Sequence, residues 1–189
     1  MNQIWQLWQA SLQDSIVNDI IKASEQYPVV SAGLGYDGSI QKNDLRSSKI
    51  RWVNPADENS KFISDLLWYY GREANKNAFG FDINYLLDIQ YTKYIAEENG
   101  KYDWHYDTFW ANPTTYDRKL SIIIQLSDSA DYEGGNFEID PFHPQLPADK
   151  IREKGSVIVF PSFLSHRVTP VTKGERISLV SWIQGPKFR

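Results

Sequence analysis

The sequence predicts a mainly β domain, two antiparallel sheets in a jelly roll, with N-terminal helices bracing one of the sheets. Three observations carry that expectation. Apolar residues at helical spacing are confined to the part before Gly80. A series of short, alternating or β-branched runs follows. Turn pairs separate those runs: Asn99-Gly100, Gly134-Gly135, Lys154-Gly155 and Lys173-Gly174. Helices followed by closely spaced strands fit one domain over residues 1–189, with 1–80 as helical support and loop and 81–189 as the jelly-roll core.

Taken in order, Ile4, Leu7, Trp8, Leu12, Ile16, Ile20 and Ile21 predict a first helix that ends before Pro28. Gly33, Gly35 and Gly38 then mark a loop, and a short strand follows at Lys49 to Val53. The loop from Gly33 to Arg46 reads equally as a lid or as an ordinary connection. Pro55 and Asp57 open a second helix with Phe62, Ile63, Leu66, Leu67 and Tyr70 on its apolar face, running to about Asn77 in spite of Gly71. The expected strands are Tyr85 to Ile95, Lys101 to Asp107, Leu120 to Leu126, Asn136 to Ile139, Ser156 to Phe160 and Ile177 to Ile183. No internal repeat or low-complexity tract is present.

Composition narrows the function classes. The 189 residues suffice for a sizeable core without staples, and the absence of cysteine excludes disulfides, thiolate metal sites and a cysteine nucleophile. The formal charge of −4 is spread along the chain, and the basic clusters Arg46/Lys49/Arg51 and Lys150/Arg152/Lys154 read as solvated faces. Nucleic acid is therefore a disfavoured partner. Residues 1–10 lack a signal-peptide pattern and no apolar run approaches a membrane span of about 20 residues, so the expectation is a cytoplasmic protein with no membrane segment. The seven tryptophans can fill a core, line a pocket or border a peptide groove.

The chain has three histidines. His105 and Asp107 stand two apart on an expected strand, so they share a face. His166 lies far downstream, where a jelly roll can fold it against the first pair. Two imidazoles and one carboxylate on one face of an octahedron suit Fe(II) and leave open positions for exogenous ligands. Taken alone, the pattern is also what a surface strand and an unrelated histidine would give. His143, in the proline-bounded Pro141-Phe-His-Pro144, is the competing histidine and reads as an exposed loop. Ten positions after His166 comes Arg176, whose planar fork matches a carboxylate bidentately. It would anchor the far end of a dicarboxylic chelator, and Ser178 shares its strand face. A residue flanking a hairpin is the competing reading of Arg176.

At these residues the sequence resembles a known family. His166-Arg-Val-Thr-Pro-Val-Thr-Lys-Gly-Glu-Arg176, leading to Trp182-Ile-Gln, is similar to the C-terminal signature of PKHD-type and prolyl 4-hydroxylase-like oxygenases. Leu126-Ser-Asp with Tyr132-Glu-Gly-Gly135, Tyr91-Thr-Lys-Tyr94 and Gly100-Lys-Tyr-Asp-Trp-His-Tyr-Asp107 resemble their central and first metal-binding strands. The resemblance covers about Leu86 to Pro186, and it is specific because several ordered blocks agree at once. It implies a double-stranded β-helix of the cupin-like kind, Fe(II), and 2-oxoglutarate and dioxygen as co-substrates, with ascorbate as a reductant. It assigns the metal to His105, Asp107 and His166 and the 2-oxoglutarate carboxylate to Arg176. The family's tyrosine contact falls on Tyr94, with Tyr91 as competitor, and Ile124 is expected to form an apolar pocket wall.

The implied reaction is hydroxylation of an unactivated C–H bond, with succinate and carbon dioxide as co-products. The presence of Asp107 favours hydroxylation, because related halogenases lack that carboxylate. Peptidyl proline is the leading substrate, and a small molecule or free amino acid the alternative. Phe109, Trp110 and Tyr116 follow the first ligands and either contact that substrate or cap the core. A nucleic-acid oxidative demethylase on the same barrel is disfavoured by the acidic balance and by the lack of a further arginine soon after Arg176. A non-catalytic jelly-roll binding module remains as the reading from a different class.

Overall fold

The computed structural model describes residues 4–31, 45–111 and 113–189. The chain begins with strand β1 (Gln6–Trp8), followed by helix α1 (Asp14–Glu25), β2 (Val30–Ser31), β3 (Arg46–Ser47), β4 (Lys49–Val53) and helix α2 (Lys61–Ala74). A π-helical turn, Asn75–Phe79, ends α2. Next come β5 (Tyr85–Ile95), β6 (Lys101–His105), β7 (Tyr116–Gln125), β8 (Tyr132–Gly134) and β9 (Phe137–Ile139). The chain closes with the short helix α3 (Ala148–Ile151), β10 (Val157–Pro161), β11 (His166–Val168) and β12 (Val171–Pro186).

Two antiparallel sheets form the jelly roll expected from the pattern of elements. The larger runs β1-β10-β7-β12-β5-β4-β2, with β8 paired to the start of β12, and the smaller runs β3-β6-β11-β9. Period-two alternation divides the large sheet between two cores. Ile89 and Tyr91 of β5, Ile122 and Ile124 of β7, Val157 and Val159 of β10, and Leu179 of β12 face α1 and α2, where they meet Val17, Ile20, Ile63 and Leu67. The intervening Tyr94, Ile123, Ile158 and Phe160 face the small sheet and pack with Phe137, Ile139 and Val168. Each fully buried aliphatic side chain contributes about 1.5–3 kcal/mol, so the helical layer fixes which face of every strand is left for the space between the sheets. Gly71 has a structural reason: a Cβ there would lie 2.1 Å from Ile183 Cδ1, so α2 touches the sheet at this point.

Two expectations need correction, and one strand, β11, was not among those expected. Ile4, Leu7 and Trp8 do not begin a helix: Gln6–Trp8 is an edge strand on β10, and α1 starts at Asp14. The spacing of these residues is also compatible with alternate packing, since Trp8 meets the helical core while Ile4 and Leu7 pack on the inter-sheet core. Lys173-Gly174 is not a turn, because β12 runs through it. Gly174, at φ +69°, bends the strand where it passes from β8 to β5 and β7. His166 belongs to a strand of its own, β11. The glycines proposed for a lid, Gly33, Gly35 and Gly38, lie outside the described residues. No described helix is long and apolar enough to cross a membrane.

Candidate active site

Strand pairing, not proximity in sequence, assembles the site. β11 lies antiparallel between β6 and β9, and its register sets His166 directly opposite His105. Asp107 follows just beyond β6, where the Asp107 and Thr108 N–H groups both donate to the Ser162 carbonyl. One donor atom from each of His105, Asp107 and His166 therefore falls within 4.8 Å of the others. His105 Nε2 is 3.7 Å from Asp107 Oδ1, and His166 Nε2 is 3.4 Å from Asp107 Oδ2.

The donor set fits a cation. His105 Nδ1 lies 2.8 Å from the Asp103 carbonyl oxygen and His166 Nδ1 lies 2.9 Å from that of Leu164. Each Nδ1 must carry the hydrogen to make these bonds, which leaves each Nε2 with a lone pair facing a carboxylate oxygen. Two such acceptor-to-acceptor contacts repel one another unless a cation sits between them. Ligand bonds of about 2.1 Å at right angles place donors about 3 Å apart, slightly closer than the separations here. Burial and then the neighbouring His166 push the His105 pKa down to about 3, so its imidazole is neutral and ready to ligate. Burial alone would raise Asp107, but the His166 and His105 imidazoles and Arg118, with a hydrogen bond from Ser121, hold it at about 2. The Ser121 hydroxyl donates to Asp107 Oδ2 at 2.6 Å and lies 2.9 Å from that of Ser162.

His105, Asp107 and His166 line a cavity of about 430 Å³, which also contains Arg176, Tyr94 and Ser178. Arg176 stands opposite Tyr94 in the β12–β5 register, and its guanidinium is 5.7 Å from the Tyr94 ring centre. It is 3% exposed, yet it has no ion-pair partner among the described residues. A buried charge of this kind calls for an anion. Gly135, at φ +58°, gives it room: a Cβ there would lie 3.1 Å from Arg176 Cδ.

Alternation decides between competing residues. Tyr91 has the opposite parity to Tyr94, faces the helices and has its hydroxyl against Glu25, where burial and then that carboxylate raise its pKa. Ile124 likewise faces the helical layer, and the pocket wall is Ile123. Of the three aromatic residues after the first ligands, only Phe109 reaches the cavity. Trp110 is 59% exposed and rests on Phe188, while Tyr116 is 44% exposed and pairs with Pro186; neither caps the core. His143 is not part of the cluster.

Sequence reasoning missed several wall residues. Tyr102 stacks on His105 at 3.4 Å, and the Arg46 guanidinium lies 4.5 Å from the centre of the Tyr102 ring. Burial pushes the Tyr102 pKa up to about 12. Arg118, Trp52 and Trp182 also line the cavity. Arg46 is thus not on a solvated face; the tyrosines three positions before His105 (Tyr102) and between His105 and Asp107 (Tyr106) were the available signal.

With this geometry in place, the comparisons with known proteins agree. A family model described as the 2OG-Fe(II) oxygenase superfamily matches residues 89–184, half of the chain. A PKHD-type hydroxylase of Synechococcus sp. (strain CC9311) is 38% identical over 89 residues, 47% of this chain and 39% of that protein. Another, of Hyphomonas neptunium, is 44% identical over 69 residues, 34% of this chain and 28% of that protein. The matched stretch is well under half the length of these relatives. In fold, the chain resembles a viral collagen prolyl hydroxylase from Paramecium Bursaria Chlorella virus-1 (TM-score 0.71, 20% identity, 97% of each chain). It also resembles a prolyl hydroxylase from Trichoplax adhaerens in complex with a hypoxia inducible factor peptide fragment (TM-score 0.74, 16% identity, 95% of this chain and 83% of that one). The matched family segment contains all three clustered metal-ligand candidates and the arginine behind them, and the chain belongs to the 2OG-Fe(II) oxygenase superfamily.

Proposed function

We propose that the protein is an Fe(II)- and 2-oxoglutarate-dependent dioxygenase that hydroxylates an unactivated C–H bond, with peptidyl proline as the leading substrate. The observation that carries this reading is the convergence of the His105, Asp107 and His166 donor atoms on a cavity that also contains the buried Arg176, which has no ion-pair partner among the described residues. Bound iron would supply the dioxygen chemistry, oxidising 2-oxoglutarate to succinate and carbon dioxide while an oxygen atom enters the substrate C–H bond. His105, Asp107 and His166 would hold it, with Ser121 and the Asp103 and Leu164 carbonyls orienting the ligands. Arg176 would grip the distal carboxylate of 2-oxoglutarate through paired N–H donors, with Tyr94 and Ser178 as neighbouring hydroxyl donors. Ile123, Phe137, Val168 and Val180 line the same cavity and would keep the reacting centre dry. Ascorbate, as an accessory reductant, belongs to the same reading. The preference for peptidyl proline is supported by the solved prolyl hydroxylases that share the fold, one of which holds a peptide.

The test is succinate formation from 2-oxoglutarate by the iron-loaded protein. His166→Ala is expected to abolish it. Arg176→Ala should mainly raise the 2-oxoglutarate concentration required, by a factor of roughly 10–100 for a lost charge-assisted bond of about 1.5–3 kcal/mol. Normal turnover by His166→Ala would refute the ligand assignment and favour a non-catalytic binding module.

A further inference from the structure

The cavity carries more positive charge than the metal and its co-substrate use. Among the described residues, its wall has three guanidiniums, Arg46, Arg118 and Arg176, against one carboxylate, Asp107. Under the reading above, Fe(II), Asp107, doubly anionic 2-oxoglutarate and Arg176 are together formally neutral. Arg118 and Arg46 remain in excess.

Local structure puts Arg118 there. Along β7, Ile123 and Ser121 face the site, while Ile122 and Leu120 face the helices. Strict alternation would send Lys119 inward and Arg118 away. The β7–β12 register slips at this point: Ile183 pairs with Leu120, but the next residue, Gln184, pairs with Arg118. Lys119 is the extra residue of a bulge, and its ammonium is turned onto the Phe188 ring. A bulge that re-aims a side chain costs ladder hydrogen bonding, so it marks a position where that side chain is needed. Here it turns Arg118 into the cavity.

Once there, the half-buried Arg118 has no hydrogen-bond acceptor among the described residues, and its Nε is buried. Its guanidinium lies 3.8 Å from the centre of the Trp182 ring, a contact that holds the plane without satisfying its N–H groups. Among the described residues, three of the six buried side-chain atoms left without a hydrogen-bond partner are donors from this wall: Arg118 Nε, Arg46 Nη2 and Trp182 Nε1. Buried donors without acceptors are rare in folded proteins and call for a ligand that supplies oxygen atoms. Arg118 lines the same cavity as His105, Asp107 and His166, although no ion pair joins it to Asp107. Trp182 is on the same β12 face as Arg176 but six residues along, about 20 Å of strand. Arg118 therefore belongs to the other end of the cavity, away from the anchor for 2-oxoglutarate.

We propose that Arg118, seated on Trp182 and supported by Arg46, binds a carboxylate carried by the substrate, and so selects substrates with an acid group near the oxidised carbon. This rests on the dioxygenase reading and names the substrate chemistry for it. Two sources offer that group: the α-carboxylate of a free amino acid, or an acidic side chain beside the target residue of a peptide.

The experiment titrates the anaerobic Fe(II)–2-oxoglutarate complex, followed by its visible absorption band, with matched pairs. L-proline is set against L-prolinamide. A capped Glu-Pro peptide is set against its Gln-Pro counterpart. The acid member of at least one pair should perturb the band at a concentration about tenfold or more below its amide, the size of one charge-assisted contact; which pair responds identifies the source. Arg118→Gln, and independently Arg118→Ala, should erase that difference while the 2-oxoglutarate titration of the same variants stays within about twofold of wild type. The retained band also certifies that the variants fold. Equal response to acid and amide, or no response to either acid, would overturn the proposal. So would a 2-oxoglutarate titration weakened as much as the substrate titration, which would make Arg118 a second anchor for the co-substrate. Absence of the band from wild type would instead refute the dioxygenase reading itself.

Discussion

At the scale of single residues, the account depends on parity along a strand. Tyr91 and Tyr94 lie on opposite faces of β5, one against Glu25 and the helices and the other across from Arg176. Tyr94→Phe should lower 2-oxoglutarate affinity by a few-fold, the worth of one hydrogen bond at about 0.5–1.5 kcal/mol. Tyr91→Phe should leave that affinity unchanged and alter only thermal stability. Calorimetric titration of both variants compares them directly, and an equal loss of affinity in both would show that the facing residue had been misassigned.

At the scale of elements, the large sheet is a partition between a structural face and a chemical face. Gly71 makes this testable, because it is where α2 meets Ile183 and Ile122 on the structural face. Gly71→Leu should lower stability by about 1–3 kcal/mol or more through overpacking, while metal and 2-oxoglutarate affinities in the folded fraction stay at the wild-type level. Chemical denaturation and ligand titration of that variant separate the two effects; a large loss of affinity at unchanged stability would contradict the partition. The same partition explains what the sequence disclosed. The β-branched run of β7 and the His105/Asp107 spacing announce a strand and a shared face, because alternation is local. The pairing of His166 with His105 depends on a register set by strands far apart in the chain; the jelly-roll expectation allowed it, and the family resemblance singled it out. Arg118 was illegible because a bulge reverses the alternation that would have been used to place it. The edge strand Gln6–Trp8 was misread because three residues cannot distinguish a helical from a strand period, and its pairing with β10 decides the matter.

At the scale of the whole molecule, the ligand cluster links folding to pH. In the metal-free protein His105 is held neutral by burial, with a pKa of about 3 against 6.5 for a free imidazole. The unfolded chain therefore takes up a proton between pH 6.5 and 3 that the folded chain refuses, and stability falls as pH falls through that window. Asp107 adds a second loss: its folded pKa, about 2 against 3.8, gives stability that is present above 3.8 and lost on the way down to about 2. Glu25, lowered mainly by its hydrogen bond to Lys93 against the opposing effect of burial, loses its contribution on the same acid side, below 4.5. Melting temperature should thus be flat above about pH 7, fall below 6.5, and fall less steeply between 6.5 and 4 in His105→Gln. A wild-type profile with no dependence between pH 6.5 and 4 would show that His105 is not buried as a neutral ring.

The most direct test of the central claim is to add Fe(II) and then 2-oxoglutarate to the purified protein without oxygen, and to record the visible spectrum. The account predicts a charge-transfer band that needs both additions, disappears in His166→Ala and Asp107→Ala, and requires more 2-oxoglutarate in Arg176→Ala. A wild-type protein that gives no such band, or a band that survives loss of His166 and Asp107, would contradict it.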